Sequence, residues 1–412
     1  MTQTADPQSS ADNRGSRGLL ARVSLGRSLR PMGVETVLIL ASTLALTVFG
    51  VVMNFSATTV DSIQATGNPW DQGMSHMLFA GVALVAMVVL SRFSNRWLQR
   101  LAWPAMILGI ALQLLVFTPL GYESGGNRNW VRIGGFSMQP AEFLKAALAI
   151  WLGVVIYRKR DRLHRFWELV IPIFPVALLA LATVMAGEDL GTVMIMAFLV
   201  MGALFFGGVR MRFLLPIIGA GIAAVFALAI VSPNRMDRIM SALDPNCLED
   251  YQNLCYQPLH GIWALAGGGF LGAGLGNSKE KYSWLPAAAD DYIFAIVGEE
   301  LGLLGCAVVL LLFGILTVGI FGVIRRTDDV FVRTTAGAIG VWIIGQALVN
   351  IGVVLRLLPA LGVPLPFLSS GGSSLVAVLL ACGVLLALAR TLPERAVPSS
   401  ADRASARNKI VR

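Results

Sequence analysis

Trp284-Leu285-Pro286-Ala287-Ala288-Ala289-Asp290-Asp291-Tyr292-Ile293-Phe294-Ala295, continued by Ile296-Val297-Gly298-Glu299-Glu300-Leu301-Gly302, runs two adjacent carboxylates straight into an apolar segment. That segment lasts to about residue 323, beyond the roughly 20 apolar residues a helix needs to cross a bilayer. A carboxylate at a membrane centre costs about 3 kcal/mol on insertion scales, so those that occur line a wet cavity or do chemistry. A plainer reading is equally open. Acidic residues suit the positive end of a helix, and Asp290 and Asp291 would then only cap this one.

Similar apolar runs recur at about 36–56, 74–91, 101–120, 141–157, 167–186, 189–208, 213–232, 335–355 and 373–390. With 291–323 they predict an all-α, polytopic membrane protein of ten transmembrane helices. Composition agrees, with 56% hydrophobic and 14% charged residues, far from a soluble domain. Most of the 32 basic residues fall in alternate junctions: Arg14 to Arg30, Arg92 to Arg100, Arg158 to Arg165, Arg210 and Arg212, Arg325 to Arg333, and Arg390 onward. The positive-inside rule then places both termini in the cytoplasm of a multi-pass protein of the cytoplasmic membrane. Because the basic residues are split among short inner loops, they argue against nucleic acid as a partner. The first apolar run starts too late and is too long to be a cleavable signal peptide. The predicted organisation is a disordered tail at 1–35, a membrane domain at 36–391 with an outer loop at 233–290, and a disordered tail at 392–412.

Loop 233–290 is too long for a simple turn and is expected to carry function. It holds Cys247 and Cys255, eight residues apart, and an oxidising outer compartment permits a disulfide between them; two free thiols are the alternative. Cys306 and Cys382 lie inside spans as small packing residues. No His/Cys group has zinc spacing, and His76, His164 and His260 are far apart. Three other outer segments carry candidate chemistry. In Gln139-Pro140-Ala141-Glu142-Phe143-Leu144-Lys145, the acid and the lysine share a helix face, either as a buried pair that fixes packing or with the lysine holding phosphate. In Gly187-Glu188-Asp189-Leu190-Gly191-Thr192, Asp189 sits where it can cap the following helix. Pro364 to Ser374 strings Ser and Gly residues whose N–H groups can form an anion nest.

Taken together, these segments resemble the SEDS family of bacterial cell-wall glycosyltransferases. The resemblance runs from about Val37 to Arg390. It is carried by Phe49-Gly50-Val51-Val52-Met53 with Ser56-Ala57, Gln139-Pro140-Ala141-Glu142, Asp189-Leu190-Gly191-Thr192, Tyr256-Gln257, Gly272 to Ser278, Trp284 to Gly302, and Leu357 to Ser374. Within the family the chain looks more like a division-type actinobacterial member than an elongation-type one. The resemblance implies that Asp291 is the catalytic carboxylate and that Glu142, Lys145, Asp189 and Gln257 line the outer cavity. Five positions depart from the family pattern: Asn129 stands where Arg is usual before Trp130, Gly187 where Glu is usual, Glu188 where Pro is usual, Asp290 where the residue is usually not acidic, and Arg356 where Gly is usual.

The implied reaction polymerises lipid II into glycan strands at the division septum, with a class B penicillin-binding protein and other divisome proteins as partners. A sugar hydroxyl needs a base to attack, a role open to Asp291. The departing pyrophosphate needs positive charge, for which Lys145, Arg128, Arg132, Lys279 and Lys281 are the candidates. No cofactor is evident. A divalent cation bridging carboxylate and pyrophosphate fits the chemistry, although no ligand motif demands one. The competing readings are a lipid II flippase, with Glu142, Lys145, Asp189, Glu299 and Glu300 along a translocation path, a scaffold that only recruits partners, and an elongation-type polymerase.

Overall fold

The computed structural model describes residues 32–124, 126–163, 165–231, 233–243, 247 and 255–393. The predicted tails lie outside these residues except at their inner edges, where helix already begins at Val34. In chain order the structure runs through helices α1 (Val34–Ala57), α2 (Thr59–Thr66), α3 (Asp71–Leu90) and α4 (Asn95–Leu114). A small sheet of β1 (Gly121–Ser124), β2 (Asn127–Ile133) and β3 (Phe136–Met138) follows. Then come α5 (Pro140–Lys159), α6 (Phe166–Met185), α7 (Leu190–Phe206), α8 (Met211–Val231), α9 (Pro233–Leu243), α10 (Tyr256–Gly268), α11 (Ile293–Arg326), α12 (Val330–Val354) and α13 (Gly372–Ala389). Among the described residues, α1, α3, α4, α5, α11, α12 and α13 are long and apolar enough to cross a membrane. Three shorter apolar stretches, Val170–Met185, Leu190–Phe206 and Met211–Ala224, lie on the remaining predicted runs.

The ends of the bundle can be told apart. Glu35 at the start of α1 pairs with Arg326 at the end of α11 (2.6 Å), and Arg326 also donates to the Pro393 carbonyl beyond α13 (2.8 Å). Arg390 donates to the Ser91 carbonyl between α3 and α4 (3.0 Å). The start of α1, the ends of α11 and α13 and the turn between α3 and α4 therefore gather at one end.

Helices α5, α12 and α13 form the centre, which is why their hydrophobic residues run all round the helix instead of along one stripe. Trp151, Leu148 and Leu152 of α5 and Trp342, Ile339 and Ile343 of α12 are fully buried. Outer helices instead turn Leu78, Val82 and Val85 of α3 and Ile107 and Leu108 of α4 outward. Helices in lipid associate by close packing of small residues. At Gly153 a Cβ would stand 2.0 Å from Thr335 Oγ1, so only glycine lets α5 approach α12 there.

Two features differ from the all-α reading with uniform spans. First, the strands form an antiparallel sheet in the order β1-β2-β3. Gly134 and Gly135 turn the β2–β3 hairpin with φ of +57° and +88°, the conformation of a two-residue type I′ turn. Second, the predicted span 291–323 is not one helix. It breaks at Gly302, where φ is +66° and a Cβ would lie 2.4 Å from the Gly272 nitrogen. The break leaves helix carbonyls without internal partners, and the loop after α10 fills them. Ala273 N–H donates to Glu299 O (2.9 Å) and Gly274 N–H to Glu300 O (3.0 Å). Start points also shift. Helix α4 begins at Asn95, six residues before the predicted span, because Arg96 and Arg100 hide the turn from a hydropathy reading.

Candidate active site

The Asp290-Asp291 segment is held from several directions at once. Ala287, at φ +52°, bends the chain so that the N–H groups of Asp290 and Asp291 both reach its carbonyl (3.1 Å each). Opposite, the loop before α13 grips the segment. Ser370 N–H donates to Ala289 O (3.0 Å), Ser369 Oγ donates to Asp290 O (2.5 Å), and Ser370 Oγ donates to the Asp290 carboxylate. From α12, the buried Asn350 side chain donates to both Asp291 O and Val363 O, each at 2.8 Å. Asp291 thus has its carbonyl held by Asn350 of α12 and its N–H held locally by Ala287, while no described residue hydrogen-bonds its carboxylate; Asp290 gives one oxygen to Ser370. This difference separates the two acids.

Electrostatics separate them further. Asp291 is half-buried, and protein packed around it excludes water and raises its carboxyl to a pKa of about 7. The like charge of Asp290 adds to the rise, Arg238 opposes it, and Asp189 adds a little. Asp290 is also raised, by burial against the partial relief of its Ser370 bond. Asp61 of α2 lies within the field of Asp290 and is raised by burial and by that charge. Neither Asp61 nor Arg238 stood out in the sequence. Among the described residues, no three His, Cys, Asp or Glu side chains converge as metal ligands.

Asp189 is 2% exposed and heavily bonded. It caps α7 through Thr192 N–H (2.9 Å) and accepts from Thr192 Oγ1 (2.8 Å), Asn129 Nδ2 (2.7 Å) and Gln139 Nε2 (3.0 Å). Asn129, which departs from the family pattern, is therefore the partner that ties the sheet to this carboxylate. Lys145 and Glu142 form a buried pair at 2.7 Å, 1% and 0% exposed. Lys145 also donates to Gln346 Oε1 (2.8 Å) and lies 5.0 Å from the Trp342 ring centroid. Its ammonium thus faces α12 in the protein interior.

The other predicted cations are dispersed. Lys281 is buried against Glu300 (2.9 Å) and also donates to Ser56 Oγ of α1 (3.1 Å) and Gly276 O (2.8 Å). Its neighbour Glu299 accepts from Ser278 Oγ (2.5 Å) and from the exposed Lys279 through its backbone N–H (2.7 Å). Glu299 and Glu300 therefore staple the loop to the α11 break. Arg128 donates to Val116 O and Thr118 O, and Arg132 stacks on Tyr122 at 4.8 Å, both on the outside of the sheet. Gln257 Nε2 donates to Pro286 O (3.0 Å), four residues before Asp290.

Two arginines outside the predicted cation set approach the site. Arg238 of α9 donates to Ala360 O (3.4 Å), and Arg356 donates to Ser241 O (3.0 Å), so α9 and the loop after α12 are tied in both directions. Arg356 has φ +57°, which accounts for glycine being the usual residue there. Cys247 and Cys255 are disulfide-bonded, with Cα atoms 5.5 Å apart, and are buried beside Ser241.

Membrane-length helices and, ahead of α11, a carboxylate held through its backbone and raised in pKa define a polytopic membrane protein. The chain belongs to the FtsW/RodA/SpoVE family of cell cycle proteins, whose profile matches residues 36–394. It is 36% identical over 376 residues to a probable peptidoglycan glycosyltransferase FtsW of Mycobacterium tuberculosis, covering 91% of this chain and 71% of that one. To stage V sporulation protein E of Bacillus subtilis it is 33% identical, covering 86% and 96%. Among solved structures it resembles a chain from a work entitled "Structural coordination of polymerization and crosslinking by a peptidoglycan synthase complex", with a TM-score of 0.70, 24% identity and coverage of 87% and 98%. It also resembles Thermus thermophilus rod shape determining protein RodA, with a TM-score of 0.63, 23% identity and coverage of 87% and 97%.

Proposed function

We infer that this chain is a peptidoglycan glycosyltransferase that joins lipid II units into glycan strands on the outer face of the cytoplasmic membrane during division. The observation that carries the reading is the Asp291 carboxylate, immobilised through its backbone, free of hydrogen-bond partners among the described residues, and poised near neutral pH. An acceptor hydroxyl attacks the anomeric carbon of the donor sugar, its proton passes to Asp291, and the bond to polyprenyl pyrophosphate breaks. One base and a direct displacement invert the anomeric centre. Because Lys145 and Lys281 are committed to buried pairs, Arg238 and Arg356 are the cations we assign to the departing pyrophosphate. Glu299 and Glu300 hold the loop to the α11 break, a structural task that supports the polymerase reading over a translocation path. Ten crossings with both termini cytoplasmic fit the arginine-rich end at which the start of α1 meets the ends of α11 and α13. A class B penicillin-binding protein is the partner we assign, in keeping with the synthase complex named for a structural relative. The full-length chain in liposomes with labelled lipid II is expected to make a glycan ladder; leaflet exchange without polymer overturns the reading.

The pH profile carries a signed expectation. A base must be deprotonated, so kcat/KM is expected to rise with pH through about 7 on its acidic limb. Asp290→Asn removes a like charge and moves that limb to lower pH, whereas Arg238→Gln removes an opposing charge and moves it higher. An acidic limb that stays put in both variants rules out Asp291 as the titrating base.

The disulfide offers an independent check. Closing so short a loop restricts the unfolded chain by about 2–3 kcal/mol, and the bond leads directly into Tyr256 and Gln257, which braces Pro286. Cys247→Ser with Cys255→Ser is expected to lower the polymerisation rate several-fold and to cost no more than about 2–3 kcal/mol of stability, with the bundle still folded. Wild-type rates in that double variant count against a bracing role.

A further inference from the structure

At the arginine-rich end, far from Asp291, the turn from α7 to α8 meets the end of α5 and the start of α12 around a cavity of about 300 Å3. Arg160, Arg210 and Arg333 line it together with Leu163, Val330 and Gly208, and no acidic residue is among its lining. Arg333 is anchored by one nitrogen, with Nε donating to Phe206 O at 2.8 Å. Its Nη2 would stand 3.8 Å from a Cβ at Gly208, whose φ is +87°. Arg160 lies over the Tyr157 ring at 4.9 Å and meets Asp161 only at 3.8 Å, in an exposed contact of little strength. Asp329, the nearest acid on α12, has its carboxylate engaged as the cap of that helix, accepting from Phe331 N–H at 2.8 Å.

Three guanidinium groups around one space repel one another unless an anion joins them, and their planar forks match phosphate oxygens. The apolar part of the wall decides which phosphate. Leu163 and Val330 face the same space, and the helices leaving the turn expose Phe205, Met211 and Leu215 beside it. A free phosphate gains nothing from such a flank, whereas acyl chains do. Basic pockets between membrane helices are a recurrent setting for lipid headgroups. We propose that this cavity binds the phosphate of an anionic phospholipid in the adjacent leaflet, with Arg160, Arg210 and Arg333 around the headgroup and its chains against α7 and α8.

Native mass spectrometry of the full-length chain tests this with phosphatidylglycerol and phosphatidylcholine as probes. Phosphatidylglycerol adducts are expected to survive activation and phosphatidylcholine adducts to be lost. Arg160→Gln with Arg210→Gln is expected to weaken phosphatidylglycerol binding at least tenfold; Arg333 is left in place because it also holds the α7 end. Arg210→Lys, which keeps the charge but loses the fork, is expected to fall between the two and guards against a misfolded double variant. Equal retention of both lipids, or unchanged phosphatidylglycerol binding in the double variant, overturns the proposal. Tight binding of inorganic phosphate without any lipid adduct gives the cavity to a soluble anion and overturns the lipid assignment.

Discussion

Lipid II polymerisation by an Asp291→Asn chain is expected to fall by at least about 100-fold, the lower end of what a positioned general base contributes. The amide keeps the shape of the carboxylate but does not take up the hydroxyl proton. Folding and insertion are expected to be preserved, because the contacts that hold residue 291 are made by its backbone. Asn350 bonds its carbonyl, and its N–H reaches Ala287 O. Asp290→Asn is the matched control. It loses charge at a side chain already bonded to Ser370 and is expected to keep most of the activity above neutral pH. Rates from labelled lipid II, measured on protein with unchanged thermal unfolding, decide the matter. A near-normal rate for Asp291→Asn ends the general-base assignment.

The second large effect is on stability. Lys145→Met is expected to destabilise the bundle by about 3–5 kcal/mol, the usual cost of leaving one member of a buried pair without its partner. Glu142 has no exposed surface, and its Oε2 already lacks a hydrogen bond. Removing the ammonium strands the other oxygen as well and leaves Gln346 Oε1 with Trp342 Nε1 as its donor. Lys145→Met with Glu142→Gln removes both charges and is expected to regain most of the loss. Activity in that double variant then separates two roles. Near wild-type polymerisation makes the pair a packing device, whereas a stable but inert protein gives Lys145 a part in holding phosphate. A Lys145→Met chain that unfolds like the wild type contradicts the stability argument.

Much of the membrane architecture was legible because a bilayer imposes length and polarity on every crossing element. The apolar runs, the basic turns and the Asp290-Asp291 junction could all be read without coordinates. What escaped was set by contacts between distant residues. Gly302 reads as one more glycine in an apolar run, and its break becomes visible only against Gly272. Gly134-Gly135 between alternating segments is a hairpin signal that the all-α expectation passed over. For Lys145 the sequence offered both a buried pair with Glu142 and a phosphate contact, and the structure supplies the pair; the Glu300 partner of Lys281 could not be read, because a sequence shows a charge but not its partner. The places of Arg238 and Arg356 were not legible either: one lay in what read as loop, and the other was an oddity until Ser241 appeared opposite it.

The grip on Asp290 and Asp291 also bears on how the protein is made. Their restraints come from Asn350, Ser369 and Ser370, and the loop ahead of them is stapled back to Ser56 on the first helix. Synthesis proceeds from the N-terminus, so the Asp290-Asp291 segment emerges from the ribosome about 80 residues before its last restraint. A nascent or truncated chain therefore carries its carboxylate on an untethered strand. The geometry of the two carboxylates is thus completed only by the last loop of the membrane domain, just before α13.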